Sequence, residues 1–209
     1  MVGEPGCRTG AYERSGRVYA FTRLGSGWSL SQTIESPEAQ TQNGFGNAVA
    51  LSDDGKSATV AIGLRGRELK SSAGAAWVLE YSTGSWHARS RLTAPPSEEG
   101  AGFSCPIVVG SAVRIVCTAD DAVGFDGRQG SIYLFERPKA GWGSPVGSPQ
   151  RLFATEGAPA DALGSAMTQE LTTTANGGVI DATVSSVNLA NGTYPEDRVG
   201  YEFTVPSVP

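Results

Sequence analysis

The chain is predicted to be all-β, assembled from copies of one four-stranded antiparallel unit. Three observations carry this. Glycine accounts for 28 of 209 residues, alongside 12 prolines; this is roughly double the usual glycine content and suits many tight turns between short strands. Two short motifs recur in fixed phase with a period of about 57 residues, as in repeat architectures. Apolar residues alternate with period two, as Val18 with Ala20 or Tyr19 with Phe21. No long i, i+3, i+4 stripe survives the glycines to support a helix.

The first motif places an aromatic or aliphatic pair after a glycine and a Gly-Trp element further on. It appears as Gly16-Arg17-Val18-Tyr19-Ala20-Phe21 with Gly27-Trp28, then as Gly74-Ala75-Ala76-Trp77-Val78-Leu79 with Gly84-Ser85-Trp86. It returns as Gly130-Ser131-Ile132-Tyr133-Leu134-Phe135 with Gly141-Trp142, so the leading glycines lie 58 and 56 residues apart. A frayed copy is Arg198-Val199-Gly200-Tyr201-Glu202-Phe203.

The second motif lies between these. It reads Gly44-Phe45-Gly46-Asn47-Ala48-Val49-Ala50-Leu51, then Gly102-Phe103-Ser104-Cys105-Pro106-Ile107-Val108-Val109, then Ala162-Leu163-Gly164-Ser165-Ala166-Met167. A turn and a β-branched run follow each copy: Asp53-Asp54-Gly55 before Thr59–Ile62, Gly110-Ser111 before Val113–Cys117, and Asn176-Gly177-Gly178 before Val179–Val184.

Each period thus holds four strand candidates. Strand A follows Gly-Phe-Gly, B is the β-branched run, C carries the aromatic pair and D follows Gly-Trp. The chain opens at the end of a B strand, and its segments contribute two, four, four and three strands, thirteen in all. A lone four-stranded sheet leaves both faces bare, so such units must stack on one another. Four-stranded units repeated around an axis make a β-propeller. The expected architecture is an incomplete propeller of about 3.5 blades, a partial ring or half of a seven-bladed one. Its parts are a blade fragment at 1–40, blades at 41–95 and 96–155, and a blade fragment at 156–209. An incomplete ring exposes faces that favour self-association.

The Gly44-Phe45-Gly46 element, its aliphatic strand and the closing Val2-Gly3-Glu4-Pro5 resemble FG-GAP repeats. These build the seven-bladed propellers of integrin α subunits and of many bacterial surface proteins. The later counterparts of the closing element, Ile62-Gly63-Leu64 and Thr118-Ala119-Asp120, lack the proline. The resemblance implies a non-catalytic module that binds a protein or glycan ligand at the cell surface or outside the cell. Members often hold calcium in the A–B turn. The turns here, Ser52–Ser57, Gly110–Val113 and Ala175–Gly178, lack the alternating oxygen donors that a calcium ion with six to eight ligands needs, so no cofactor is expected.

The remaining chemistry is sparse. Net charge is −5, which argues against a nucleic-acid partner. No apolar run nears the roughly 18 residues of a membrane helix. The start of the chain has neither the basic nor the apolar region of a signal peptide. The lone histidine, His87, sits on an alternating D strand and reads as a surface residue. No serine sits in a nucleophile elbow, so no enzymatic activity is expected.

The B–C loops diverge most between repeats, which is where a scaffold places binding. They nominate Arg65 and Arg67 in one loop, and Asp120, Asp121, Asp126 and Arg128 in the next, as ligand-binding residues. Trp28, Trp86 and Trp142 recur at one repeat position and are expected to pack between blades. A hairpin turn at Gly110-Ser111-Ala112 would set position 109 opposite 113 and Cys105 opposite Cys117. The two cysteines are then either a disulfide or a pair of free thiols in facing strands.

Overall fold

A computed structural model describes residues 1–52, 55–62, 75–93, 108–109, 114–119, 130–153, 166–174, 177–185 and 200–205. Within these the protein is all-β, with fourteen strands in four antiparallel sheets and no helix.

The first sheet is β1 (Val2–Glu4), β2 (Arg17–Leu24) and β3 (Gly27–Glu35). The second is β4 (Phe45–Leu51), β5 (Ser57–Ile62), β6 (Ala75–Ser82) and β7 (Ser85–Thr93). The third is β8 (Val108–Val109), β9 (Arg114–Ala119), β10 (Ser131–Glu136) and β11 (Gln150–Leu152). The fourth is β12 (Ala166–Thr174), β13 (Gly177–Ser185) and β14 (Gly200–Val205). Each sheet is a simple meander in chain order. The first sheet holds three strands where two were expected, because Val2–Glu4 pairs with β2 through Val2↔Tyr19, Gly3↔Val18 and Glu4↔Arg17.

The first two sheets match in detail. In the first, β2 and β3 slip register after Ala20↔Gln32, leaving Ser31 as a bulge before Phe21↔Leu30. In the second, β6 and β7 slip after Val78↔Ser90, leaving Arg89 before Leu79↔Ala88. A bulge inserts one extra residue and sharpens the twist of the strand. Its recurrence at the same repeat position curves both outer strands alike.

Period-two alternation on β6 gives the second sheet two apolar faces. Ala75 and Leu79, with Trp77 partly buried, pack against Val18, Ala20 and Ile34 of the first sheet. Ala76 and Val78 on the other face pack with Leu92 against Tyr133, Phe135 and Trp142 of the third unit. We call the Trp77/Leu79 side the back and the Ala76/Val78 side the front. The back of the second sheet thus rests on the front of the first, and the back of the third on the front of the second.

The Phe-Gly element explains how the first and second sheets come so close together. Phe45 is completely buried and is among the largest side chains with no solvent contact. Its amide donates to the carbonyl of Ser15 at 2.9 Å, beside the amide of Gly44 donating to Arg14 at 3.0 Å. A Cβ on Gly3 would stand 2.0 Å from the carbonyl oxygen of Gly46. Gly46 itself has φ +92 and faces the carbonyl of Arg17. Backbone meets backbone here, so only glycine fits on either side. The glycine of the Val2-Gly3-Glu4-Pro5 element in one sheet thus touches the glycine of Gly44-Phe45-Gly46 in the next.

Two expectations change. The hairpin of β8 and β9 pairs Val108↔Val116 and Val109↔Ile115, two residues away from the expected 109 opposite 113. The register of β8 on β9 therefore differs from the expected one, and Cys105, whose place opposite Cys117 was the other part of that expectation, lies outside the described residues. Strand D of the third unit does not follow Gly141-Trp142 directly. An irregular stretch carrying Pro145 and Pro149 intervenes before the three residues of β11. Proline lacks the N–H that a strand ladder requires.

Candidate functional site

Arg65, Arg67, Asp120, Asp121, Asp126 and Arg128 lie outside the described residues, as does Cys105. Cys117 is on β9, opposite Tyr133 in the ladder. Cys7 is a free thiol next to β2 and accepts a hydrogen bond from Arg17 Nε at 3.0 Å. That contact, first among the causes, raises the Arg17 guanidinium above its ordinary value. Among the described residues no cluster of His, Cys, Asp and Glu is arranged to hold a metal ion. No described helix is long and apolar enough to cross a membrane.

His87 is exposed on β7, and its Nε2 shares a hydrogen bond of 2.8 Å with Ser85 Oγ. Glu80, the ladder partner of His87, is turned to two cations instead, with Arg137 at 3.0 Å and Arg89 at 3.5 Å. Arg137 follows β10, so this carboxylate ties the second unit to the third.

The three tryptophans of the repeat have different fates. Trp142 is only 5% exposed, within the cluster between the second and third sheets. Trp86 is half-buried on the cluster between the first and second sheets, its ring 5.4 Å from that of Tyr81. Trp28 is 69% exposed. The expectation of packing between sheets holds for the first two and fails for Trp28. The back of the first sheet has no sheet over it among the described residues, and Phe21 and Leu30 beside Trp28 are exposed as well.

The seated tryptophans share a polar partner that sequence reasoning missed. Gln32 Nε2 donates to the carbonyl of Trp86 at 3.0 Å, and Gln32 Oε1 accepts from the Trp86 amide at 2.7 Å. One repeat later Ser90 Oγ accepts from the amide of Gly143, next to Trp142, at 2.9 Å. Gln32 lies opposite Ala20, Ser90 opposite Val78 and Gln150 opposite Leu134. These are equivalent positions on the D strands. The signal is visible in sequence as Gln32-Thr33-Ile34, Ser90-Arg91-Leu92 and Gln150-Arg151-Leu152.

Gln150 is exposed. With Leu134, Glu136, Arg137, Pro138 and Pro145 it lines a cavity of about 470 Å³ on the third sheet. Comparison with protein-family models and with curated proteins finds no match for this chain.

Proposed function

We propose that the chain is a non-catalytic, FG-GAP-like propeller module that holds a protein or glycan ligand at the cell surface or outside the cell. The observation that supports this best is the repeated stacking, in which the second sheet sits on the first and the third on the second with the same side-chain positions used both times. A frame that repeats while its B–C loops diverge is suited to recognition by loops. The test is an array of glycans and of secreted proteins, probed with the wild type and with Arg65→Ala, Arg67→Ala, Asp120→Ala and Asp126→Ala. Binding that weakens in at least one of these variants supports the reading. Binding that is indifferent to all four removes the loops from it.

A second reading is an assembly module whose open stack is completed by self-association. The exposed apolar back of the first sheet favours it, with Phe21, Trp28 and Leu30 on one face. Contiguous apolar surface of this kind marks interaction sites.

A further inference from the structure

We propose that Arg14 and Gln42, with the exposed ring of Tyr12 on the same loop, receive a carboxylate from a protein segment that carries isolated Asp or Glu side chains. The inference rests on the ligand-binding reading above and narrows it to a protein ligand and one surface.

The surface is built from two connections. The loop between β1 and β2 folds back on itself at Gly10-Ala11, where Thr9 and Tyr12 exchange two backbone hydrogen bonds of 3.0 Å. Within the loop, the Arg17 guanidinium donates to the carbonyl of Arg8 at 2.6 Å, and Thr9 Oγ1 donates to that of Gly16 at 3.3 Å. The segment between β3 and β4 docks along it. The amides of Gln42, Gly44 and Phe45 donate to the carbonyls of Glu13, Arg14 and Ser15 at 2.7, 3.0 and 2.9 Å. These bonds bring Gln42 alongside Glu13 and Arg14. They hold both connections in one shape, so little ordering is left to occur on binding.

The backbone at this junction is unusual. Gly10, Gly16, Gly44 and Gly46 have φ of 56, 82, 62 and 92, which glycine adopts without steric cost. Arg14 at φ 52 and Gln42 at φ 64 take the same conformation with a side chain attached, which is strained. A contact inside the fold would offset such strain. Here both residues are exposed, and neither side chain makes a hydrogen bond or an ion pair among the described residues. Glycine would serve the backbone better at both positions. Strain that the fold does not use is a mark of binding sites.

The side chains define the partner. A guanidinium offers a planar fork of donors that matches a carboxylate with two parallel bonds. The Gln42 amide adds a donor and an acceptor beside it. Tyr12 is 45% exposed, and Tyr and Arg are the residue types that anchor protein interfaces. Glu13 does not cancel the charge of Arg14, because it is turned to Arg8 at 3.5 Å. The chain as a whole carries −5, which repels a polyanion. A single carboxylate in an otherwise neutral segment meets the guanidinium without that penalty.

The test is selection of short peptides from a displayed random library on the full chain. Selected peptides are resynthesised with each Asp or Glu changed to Asn or Gln. Affinities are measured by calorimetry against the wild type, Arg14→Gly, Arg14→Lys, Gln42→Gly and Thr83→Gly. Thr83 is the control, since it is also left-handed at φ 53 but lies in the turn between β6 and β7. Arg14→Gly is expected to weaken binding about tenfold or more, as for a lost hydrogen bond to a charged group. The amide form of the peptide is expected to lose as much and to be indifferent to Arg14→Gly. Arg14→Lys keeps the charge without the fork and should fall between. Gln42→Gly should weaken binding less than Arg14→Gly, and Thr83→Gly should leave it unchanged. All three glycine variants are expected to raise the thermal midpoint, because each relieves strain. A gain in stability joined to a loss of binding is what a purely structural role would not produce.

Peptides that bind equally well to Arg14→Gly and Gln42→Gly overturn this surface and leave ligand binding to other loops. Binding that survives replacement of every acid by its amide overturns the carboxylate. A lower midpoint or loss of folding in Arg14→Gly overturns the argument from strain and assigns the side chain to the fold. Failure to select any peptide, with glycans bound on the array, overturns the protein ligand and leaves the broader reading standing. Failure to bind peptide, protein or glycan overturns both.

Discussion

Gln32 pairs with the backbone of Trp86 through both ends of its amide, donating at 3.0 Å and accepting at 2.7 Å. The side chain does what a neighbouring strand would do, and it does so between two sheets. Apolar burial sets no lateral register, since it is non-directional. A bidentate amide does, so this contact fixes how the second sheet sits on the first.

Gln32→Ala removes both bonds and leaves the Trp86 amide and carbonyl without their partner. The expected loss is roughly 1–3 kcal/mol, read as a lower midpoint in urea unfolding. Gln32→Glu retains the acceptor and loses the donor, so it is expected to fall between the wild type and Gln32→Ala.

Gly3→Ala would drive a Cβ to 2.0 Å from the Gly46 carbonyl, and the obstacle is backbone that cannot rotate away. The variant is expected to unfold far below the wild-type temperature. Gly6→Ala is the control, since nothing lies within 4 Å of its added methyl and Gly→Ala at a compatible site stabilises by about 0.4–1 kcal/mol. Calorimetry of the pair separates a packing limit from a general intolerance of substitution near the start of the chain.

Trp142→Ala and Trp28→Ala change the same residue type at equivalent repeat positions. The buried Trp142 is expected to cost about 3–5 kcal/mol. The exposed Trp28 is expected to stay within about 0.5 kcal/mol in the monomer. Equal effects in denaturant titrations at low protein concentration would contradict the difference in burial.

Tyr19 donates its phenol proton to Glu4 Oε2 at 2.6 Å. That hydrogen bond is the first cause raising the phenol above its ordinary value of 10.0. The folded phenol holds its proton to higher pH than the unfolded one. The contact therefore supports the fold below the unfolded value and is lost as pH rises through the folded value. Absorbance titration of the wild type should show one tyrosine ionising late, and Glu4→Gln should return it toward the others.

Much of the frame was legible in the residues. The Gly-Phe-Gly and Gly-Trp elements marked where strands begin, because turns and period-two alternation are local properties of the chain. The reading went wrong where neighbours decide. The β8–β9 pairing at Val108↔Val116 depends on the length of the turn, and the motif around Gly110 does not specify that length. The D strand beside Trp142 was displaced by Pro145 and Pro149, whose effect on the ladder outweighed the repeat pattern. Gln32, Ser90 and Gln150 were passed over because a lone polar residue on a strand has no signature until its counterparts are aligned.

The sequence by itself determined the all-β class, the four-strand period and the order of strands within each sheet, since turn glycines and alternating side chains act over a few residues. Only the tertiary structure decided which face of each sheet is covered. Trp28, Trp86 and Trp142 share one motif, yet one lies in solvent, one is half-buried and one is in the core. Burial depends on which sheet lies against the residue, and no motif within a single repeat carries that information.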